Sequence, residues 1–414
     1  VRRLVLLTHQ YPAPRGDAPF VDAEIDALAA EFDEIVVFSF DANANATAPL
    51  GEPASPLPPT VRVGGNLYTA PVTVGARLGG FLRLLPTTLR VLRAERRARR
   101  PLPVRDTLRA VLAATKLASL PALRRVLTPT DGSSVTLYCF WGMGATLAVP
   151  WLPRPNGGTV VRLHGYDLHD APGNALPFRA SLLDRADRVL FVSEAGRASF
   201  QAQPWAAHRR ADLIVAPLGA PDIGVAPAPP DGEIPTVMSC SSITAVKRVP
   251  LIAEALAELA ARRPIRWAHF GDGPELPRVR EALADAPPTL TVELRGQVPR
   301  SAVLEALQTP IAVFVNASSS EGLPVSLMEA VSAGVPCVAT DVGGTSELVG
   351  EQHGTGILLP ATPTAADIAR AIEAVLERPL DRAAVRRRWN EAFRRDVTGP
   401  QTARIIGALT KETP

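Results

Sequence analysis

The chain reads as an α/β protein of two Rossmann-like domains, each built on a parallel β-sheet. Three observations carry this reading. Short apolar runs alternate with helix-patterned stretches through both halves, the pattern of strands covered by helices on both faces. A proline-rich stretch, Val225-Ala-Pro-Ala-Pro-Pro-Asp-Gly-Glu-Ile-Pro235, breaks that alternation and is stiff and unfit to join a sheet. A length of 414 residues is too great for one comfortable core and suits two of about 200 each.

Taken in order, the first half offers a strand at Leu4–Leu7, a helix near Val21–Leu28 and a strand at Ile35–Phe38. Strands follow at Val135–Cys139, Val160–Leu163, Val189–Val192 and Leu213–Ala216. After the linker the alternation restarts with Val237–Ser239, Trp267–Phe270, Thr291–Leu294, Ile311–Val315 and Cys337–Thr340. Helices are expected over Arg382–Phe393 and Gln401–Thr410. The expected divisions are 1–224, a linker at 225–235, 236–385, and terminal helices from 386 to 414. The N-terminus has only four apolar residues before polar ones, too few for a secretory leader, so it is read as the first strand. Gly132–Pro153 carries no charge for 22 residues, but its glycines, prolines and hydroxyls favour a buried strand running into a helix near Trp141–Val149 over a membrane span.

Hydrophobic content of 46% with charged content of 21% marks a globular protein. Three widely spaced cysteines, Cys139, Cys240 and Cys337, suggest a reducing compartment and neither a disulfide frame nor a zinc site. The net charge is only +3, yet the segment from Arg77 to Arg125 holds thirteen Lys or Arg against Glu95 and Asp106, a local net of +11. Apolar residues fall between its cations at helical spacing, so it can lie on an anionic membrane or form a solvated helix face. Few aromatics and no binding motif argue against nucleic acid.

The stretch Ser318-Ser-Ser-Glu-Gly-Leu-Pro-Val-Ser-Leu-Met-Glu-Ala330 says most about chemistry. It lies between two strands, so it reads as the turn and helix of a βαβ unit. Pro324 suits the helix start and Gly334 its left-handed end. Glu321 then sits in a loop at a strand's C-terminal end and Glu329 in the helix after it, on the edge where open α/β sheets bind ligands. Two carboxylates there can grip vicinal hydroxyls. Three further loops share that edge: Asp341-Val-Gly-Gly-Thr-Ser-Glu347, Trp267-Ala-His-Phe-Gly-Asp-Gly273, and the Ser239–Lys247 stretch. Glycines let backbone approach a ligand, and exposed N–H groups suit phosphate.

These motifs resemble glycosyltransferase family 4, retaining enzymes that use sugar nucleotides and have a GT-B fold, with domains facing across a cleft. Together with Arg162-Leu-His-Gly-Tyr-Asp-Leu168, they look like the branch that builds exopolysaccharide or cell-envelope glycans. The resemblance implies that Glu321 meets the donor sugar, Glu329 the ribose and Lys247 the diphosphate, with His164 beside the reacting carbon. Arg248 is a second candidate cation, since Ser242 stands where many members carry Arg. The base is expected near Gly271, Asp272, Gly273 and Val298. Backbone at Gly322, Leu323, Pro324 and Val325 is expected to approach the donor, and the helix N-terminus after Gly343, Gly344 and Thr345 to meet its diphosphate. Gly16 and Glu24 are placed on the acceptor side, although Glu24 equally suits a first-turn helix acid. Asp167 is placed there too, orienting the His164 imidazole or capping a turn.

His164 and His169 are five apart with no Cys or Glu ligand beside them, so no metal is expected. The resemblance implies no cofactor beyond the nucleotide-sugar co-substrate, and a glycan or lipid-linked acceptor. The implied location is cytoplasmic, with peripheral contact at the inner membrane face through 77–125. A GT-B epimerase or phosphorylase, or a silent sugar- or membrane-binding module, are the other readings.

Overall fold

The computed structural model describes residues 1–13, 16–41, 56–71, 74–98, 103–168, 177–203, 206 and 211–412. His169, weighed above as a metal ligand, lies outside them. The described chain divides into two compact units. Unit 1 comprises Val1–Ala216 with the residues from Gly399 on, and unit 2 comprises Pro217–Thr398.

Unit 1 holds seven parallel strands, β1 (Arg2–Leu7), β2 (Glu34–Ser39), β3 (Val61–Asn66), β4 (Ser134–Cys139), β5 (Thr159–Leu163), β6 (Arg188–Phe191) and β7 (Asp212–Val215), in the order β3-β2-β1-β4-β5-β6-β7. Its helices are α1 (Ala18–Glu31), α2 (Val74–Arg97), α3 (Val104–Ala118), α4 (Pro121–Leu127), α5 (Gly165–Leu168), α6 (Arg179–Leu183) and α7 (Glu194–Gln201). The central strands are buried on both faces, which is why they read as unbroken apolar runs. The stretch expected as a helix at Trp141–Val149 is a 3-10 helix over Gly144–Trp151, with Pro150 inside it. Among the described residues, no helix is long and apolar enough to cross a membrane.

Unit 2 holds six parallel strands, β8 (Thr236–Cys240), β9 (Ile265–Phe270), β10 (Leu290–Leu294), β11 (Ile311–Asn316), β12 (Cys337–Thr340) and β13 (Gly356–Leu359), in the order β10-β9-β8-β11-β12-β13. Its helices are α8 (Val249–Ala260), α9 (Leu276–Ala282), α10 (Arg300–Leu307), α11 (Val325–Ser332), α12 (Ala365–Glu377) and α13 (Arg382–Ala392). Trp267 and Trp389 are fully buried in this unit. A capping box of Thr364 and Asp367 opens α12.

Two boundaries differ from those expected. The proline-rich stretch lies along unit 2, where the Ala226 N–H donates to the Ala333 carbonyl at 2.9 Å. A backbone that cannot pair in a sheet still satisfies itself against a helix end. Residues 386–392 stay in unit 2 as part of α13, because the Trp389 indole N–H donates to the Ala220 carbonyl at 3.2 Å. The last helix, α14 (Arg395–Glu412), belongs to unit 1 from Gly399 on, where Thr402 meets the Arg162 guanidinium at 3.4 Å.

Strand order reverses between β1 and β4 in unit 1 and between β8 and β11 in unit 2. Such switch points leave a crevice outside the strands' carboxyl ends. The side chains that follow gather at those two places.

Candidate active site

In unit 2 the switch point brings together the loops after β8 and β11. Lys247, on the first, donates to Glu321, on the second, with Nζ to Oε1 at 2.6 Å. Asn316, the last residue of β11, donates its amide to the same oxygen at 3.2 Å. Glu321 is one-tenth exposed and Lys247 about a quarter (26%), so the pair sits in a recess that a ligand can still reach. The loops are tied by the Ser319 N–H donating to the Val246 carbonyl at 2.7 Å.

Pro324 caps α11 and Gly334 ends it at φ +72°. Glu329 thus falls on the buried side of α11, where Arg300 grips it with Nε at 2.7 Å and Nη2 at 2.6 Å. Burial still holds the Glu329 carboxyl above its ordinary range, with Arg300 opposing. Cys240, at the end of β8, connects this acid to its surroundings. Burial first, then Glu329, pushes its thiol up to about 12, while Lys247 pulls the other way. Cys240 also lines a cavity of about 300 Å³ whose other walls include Ser241, Gly271, Asp272, Gln297 and Val298. The strand-end glycine is needed there, since a Cβ on Gly271 would stand 1.9 Å from the Ser241 carbonyl oxygen.

Gly343 closes the second Gly-rich loop onto Glu321. It adopts φ +56°, and a Cβ would stand 1.8 Å from the Glu321 carbonyl oxygen. The helix expected after it is a single 3-10 turn, Thr345–Glu347. The N–H groups of Gly344 and Thr345 are already donated, to Gly322 O at 2.8 Å and Val342 O at 3.2 Å. That corrects the expectation of a helix N-terminus with open donors. Arg248 is a second correction. It sits at φ +48° and donates Nη2 to the Ala361 carbonyl at 2.8 Å, so it is engaged away from the Lys247–Glu321 pair.

In unit 1 the corresponding place is aromatic. Asp17, at the start of α1, accepts from the backbone N–H groups of His9, Gln10 and Tyr11 at 2.7, 2.8 and 2.8 Å. Trp141, two residues beyond β4, donates its indole N–H to the same carboxylate at 3.2 Å and stacks on His9. His164, directly after β5, lies 4.0 Å from the Trp141 ring. Its Nε2 bonds the Phe140 carbonyl at 2.9 Å, and a carbonyl can only accept, so the neutral ring carries its proton there. Burial, and then Arg162, lowers the His164 pKa to about 3, so Nδ1 remains an acceptor at neutral pH.

The acceptor-side residues fare differently. Gly16 adopts φ +60°, a left-handed backbone that glycine takes without strain, just before α1. Glu24 is buried beneath the surface, ion-paired with the fully buried Arg162 and accepting from the Tyr138 hydroxyl at 3.2 Å. Neither hydroxyl recognition nor a helix-dipole role fits that position, and the correction is a core ion pair. Asp167 is fully buried and accepts from the His164 backbone N–H at 3.0 Å. It caps the turn and does not reach the imidazole. Sequence reasoning missed Asp17, Trp141, Asn316 and Arg300; Asp17 alone carried a local signal, as an acid at a helix start. Among the described residues, no group of three His, Cys, Asp or Glu is placed to hold a metal ion.

The family model for glycosyl transferases group 1 matches residues 226–396. The chain is 35% identical over 127 residues to the 2-deoxystreptamine glucosyltransferase of Streptomyces kanamyceticus, a match covering 30% of this chain and 32% of that protein. It is 33% identical over 168 residues to a GDP-mannose-dependent alpha-mannosyltransferase of Mycolicibacterium smegmatis, covering 41% and 40%. These matches span less than half the length of either relative. In structure it is similar to sucrose-phosphate synthase from Thermosynechococcus elongatus, with a TM-score of 0.68 at 16% identity over 99% of this chain and 100% of the other. Residues 226–396 are thus a glycosyl transferases group 1 domain, carried on a chain of the GT-B fold class.

Proposed function

We propose that the chain is a retaining, metal-independent glycosyltransferase that moves a sugar from a nucleotide-sugar donor to a glycan or lipid-linked acceptor in cell-envelope or exopolysaccharide synthesis. The observation that carries this is the Lys247–Glu321 pair at the unit 2 switch point, on the chain after β8 that also walls the cavity beside Gly271. A cation and a carboxylate side by side offer one partner to a diphosphate and one to sugar hydroxyls. Lys247 would turn to the diphosphate, releasing Glu321 to accept from sugar hydroxyls. The cavity takes the base, and Glu329 takes the ribose hydroxyls while Arg300 keeps its charge compensated. The N-terminus of α11, opened by Gly322–Pro324, approaches the phosphates.

In the reaction the bond from the anomeric carbon to the phosphate oxygen breaks, and its electron pair leaves with the diphosphate. The acceptor oxygen forms the new bond on the same face, and its proton passes to the leaving phosphate. Lys247 stabilises the charge that builds there. His164, in unit 1, keeps Nδ1 able to accept a hydrogen bond from a substrate hydroxyl.

Proton NMR of the product formed from an identified donor tests this. Transfer with the donor's anomeric configuration kept, and undiminished by a chelator, is expected. An inverted product, or activity abolished by chelation and restored by a divalent cation, would overturn the mechanism.

A further inference from the structure

Helices α2 and α3 each leave an apolar stripe uncovered in unit 1. Leu82, Leu85 and Leu89 of α2 are 60%, 39% and 46% exposed. Their spacing of three and four puts them on one side of the helix, while Leu84, Thr88 and Val91 face the core. On α3, Val104, Leu108 and Leu112 repeat every four residues and are 84%, 57% and 52% exposed. Isolated exposed leucines are ordinary, but two such stripes on helices packed together are not. Exposed arginines border them, namely Arg83, Arg90, Arg93 and Arg96 on α2 and Arg105 and Arg109 on α3. Of the segment's two acids, Asp106 is exposed on α3 and offsets one of these six cations, whereas Glu95 is fully buried and accepts from Ser181.

Beside α2 lies a cavity of about 170 Å³, lined among others by Thr87, Arg90, Ser181, Asp184 and Arg185. Arg185 is held in place by donating to the Leu152 carbonyl at 2.8 Å. Burial first, then Arg154, lowers its pKa, Asp187 opposes, and Arg90 lowers it further. Two arginines against Asp184 leave the cavity walls net positive, one residue along from Leu89.

An apolar stripe edged by cations, with a cationic seat of phosphate size next to it, matches one surface in chemistry. Nucleic acid offers the charge but no use for exposed leucines, and a neutral protein face offers the reverse. We propose that α2 and α3 dock on an anionic phospholipid bilayer. The leucines enter the boundary between head groups and acyl chains, and the Arg90–Arg185 cavity receives a headgroup phosphate. Such docking would hold the enzyme where a lipid-linked acceptor is presented. In that respect only does it rest on the function proposed above.

The test is flotation of the full chain with phosphatidylcholine vesicles, with and without phosphatidylglycerol. Partitioning is expected to the mixed vesicles only and to fall as salt rises. Leu82→Ser/Leu85→Ser/Leu89→Ser should lower it by about tenfold or more, and Arg90→Gln/Arg185→Gln by about thirtyfold at low salt. All of these substitutions lie in unit 1 and the donor residues in unit 2, so cooperative melting and sugar-nucleotide binding are expected to be retained; those two readouts separate failure of docking from failure of the transferase reading. Equal binding to both vesicle types, or leucine variants that bind like wild type, would overturn the proposal. So would inorganic phosphate raising the melting temperature without any vesicle binding, which would reassign the cavity to a free anion. Self-association lost in the leucine variant, again without vesicle binding, would reassign the face to a second copy.

Discussion

Replacing Arg300 by Met tests how the buried Glu329 is held. Both guanidinium contacts reach one Glu329 oxygen, at 2.7 and 2.6 Å, and the two side chains are 25% and 6% exposed. Removing one partner from a sealed ion pair costs about 3–5 kcal/mol. Arg300 is a quarter open to water, which screens part of that, so a loss of about 2 kcal/mol is expected at neutral pH. For a unit of this size that corresponds to about 4–8 °C in melting temperature. The sign with pH follows from burial, which already raises the Glu329 pKa, and loss of Arg300 raises it further. The folded variant then holds a proton more tightly than the unfolded chain, so its stability falls as pH rises through the raised value. Scanning calorimetry at pH 5 and pH 8 should therefore show the smaller deficit at the acid end. Arg300→Met/Glu329→Gln, with no charge left to neutralise, should regain at least half of the loss. A deficit that does not change with pH, or a double variant worse than the single, would refute the pairing as the source of the cost.

Gly343→Ala forces a β-carbon to 1.8 Å from the Glu321 carbonyl at φ +56°. Beyond the about 1–2 kcal/mol of left-handed strain, the loop must shift, so donor affinity measured by calorimetry should drop more than the melting temperature suggests. Arg162→Met should cost about 3–5 kcal/mol in chemical unfolding, and Glu24→Gln added to it should restore most of that with acceptor KM unchanged. A raised acceptor KM in the stable double variant would instead place Glu24 at the acceptor. The His164 imidazole, its pKa lowered to about 3, should stay neutral by NMR well below pH 6. Its contribution to stability is then full above the unfolded value of about 6.5 and is lost as pH falls from there towards 3; a folded-state midpoint near 6 would contradict its burial.

Alternation of apolar runs was enough to expect both parallel sheets, because strands covered on two faces have few other compositions open to them. β3 and β13 escaped notice for the opposite reason. Each lies at a sheet edge, and Val61-Arg-Val-Gly-Gly-Asn66 and Gly356-Ile-Leu-Leu359 are interrupted by glycine or too short to show a pattern. Glu321 and Glu329 were legible because local spacing alone sets them on a strand-end loop and its helix. Arg300 was not, since it meets Glu329 only through packing of α10 on α11. The same limit misplaced Glu24, whose partner Arg162 lies on β5, four strands of sequence away. Arg248 was misjudged by its neighbour's company, because a left-handed residue sends its side chain elsewhere.

Titration calorimetry of sugar nucleotides against the wild type and Lys247→Ala bears most directly on the donor site. One donor should bind the wild type and lose about ten- to a hundredfold in affinity without the ammonium, as expected for a charge-assisted contact. Absence of any sugar-nucleotide binding to the wild type, or equal affinity in the variant, would contradict a donor site built on Lys247 and Glu321.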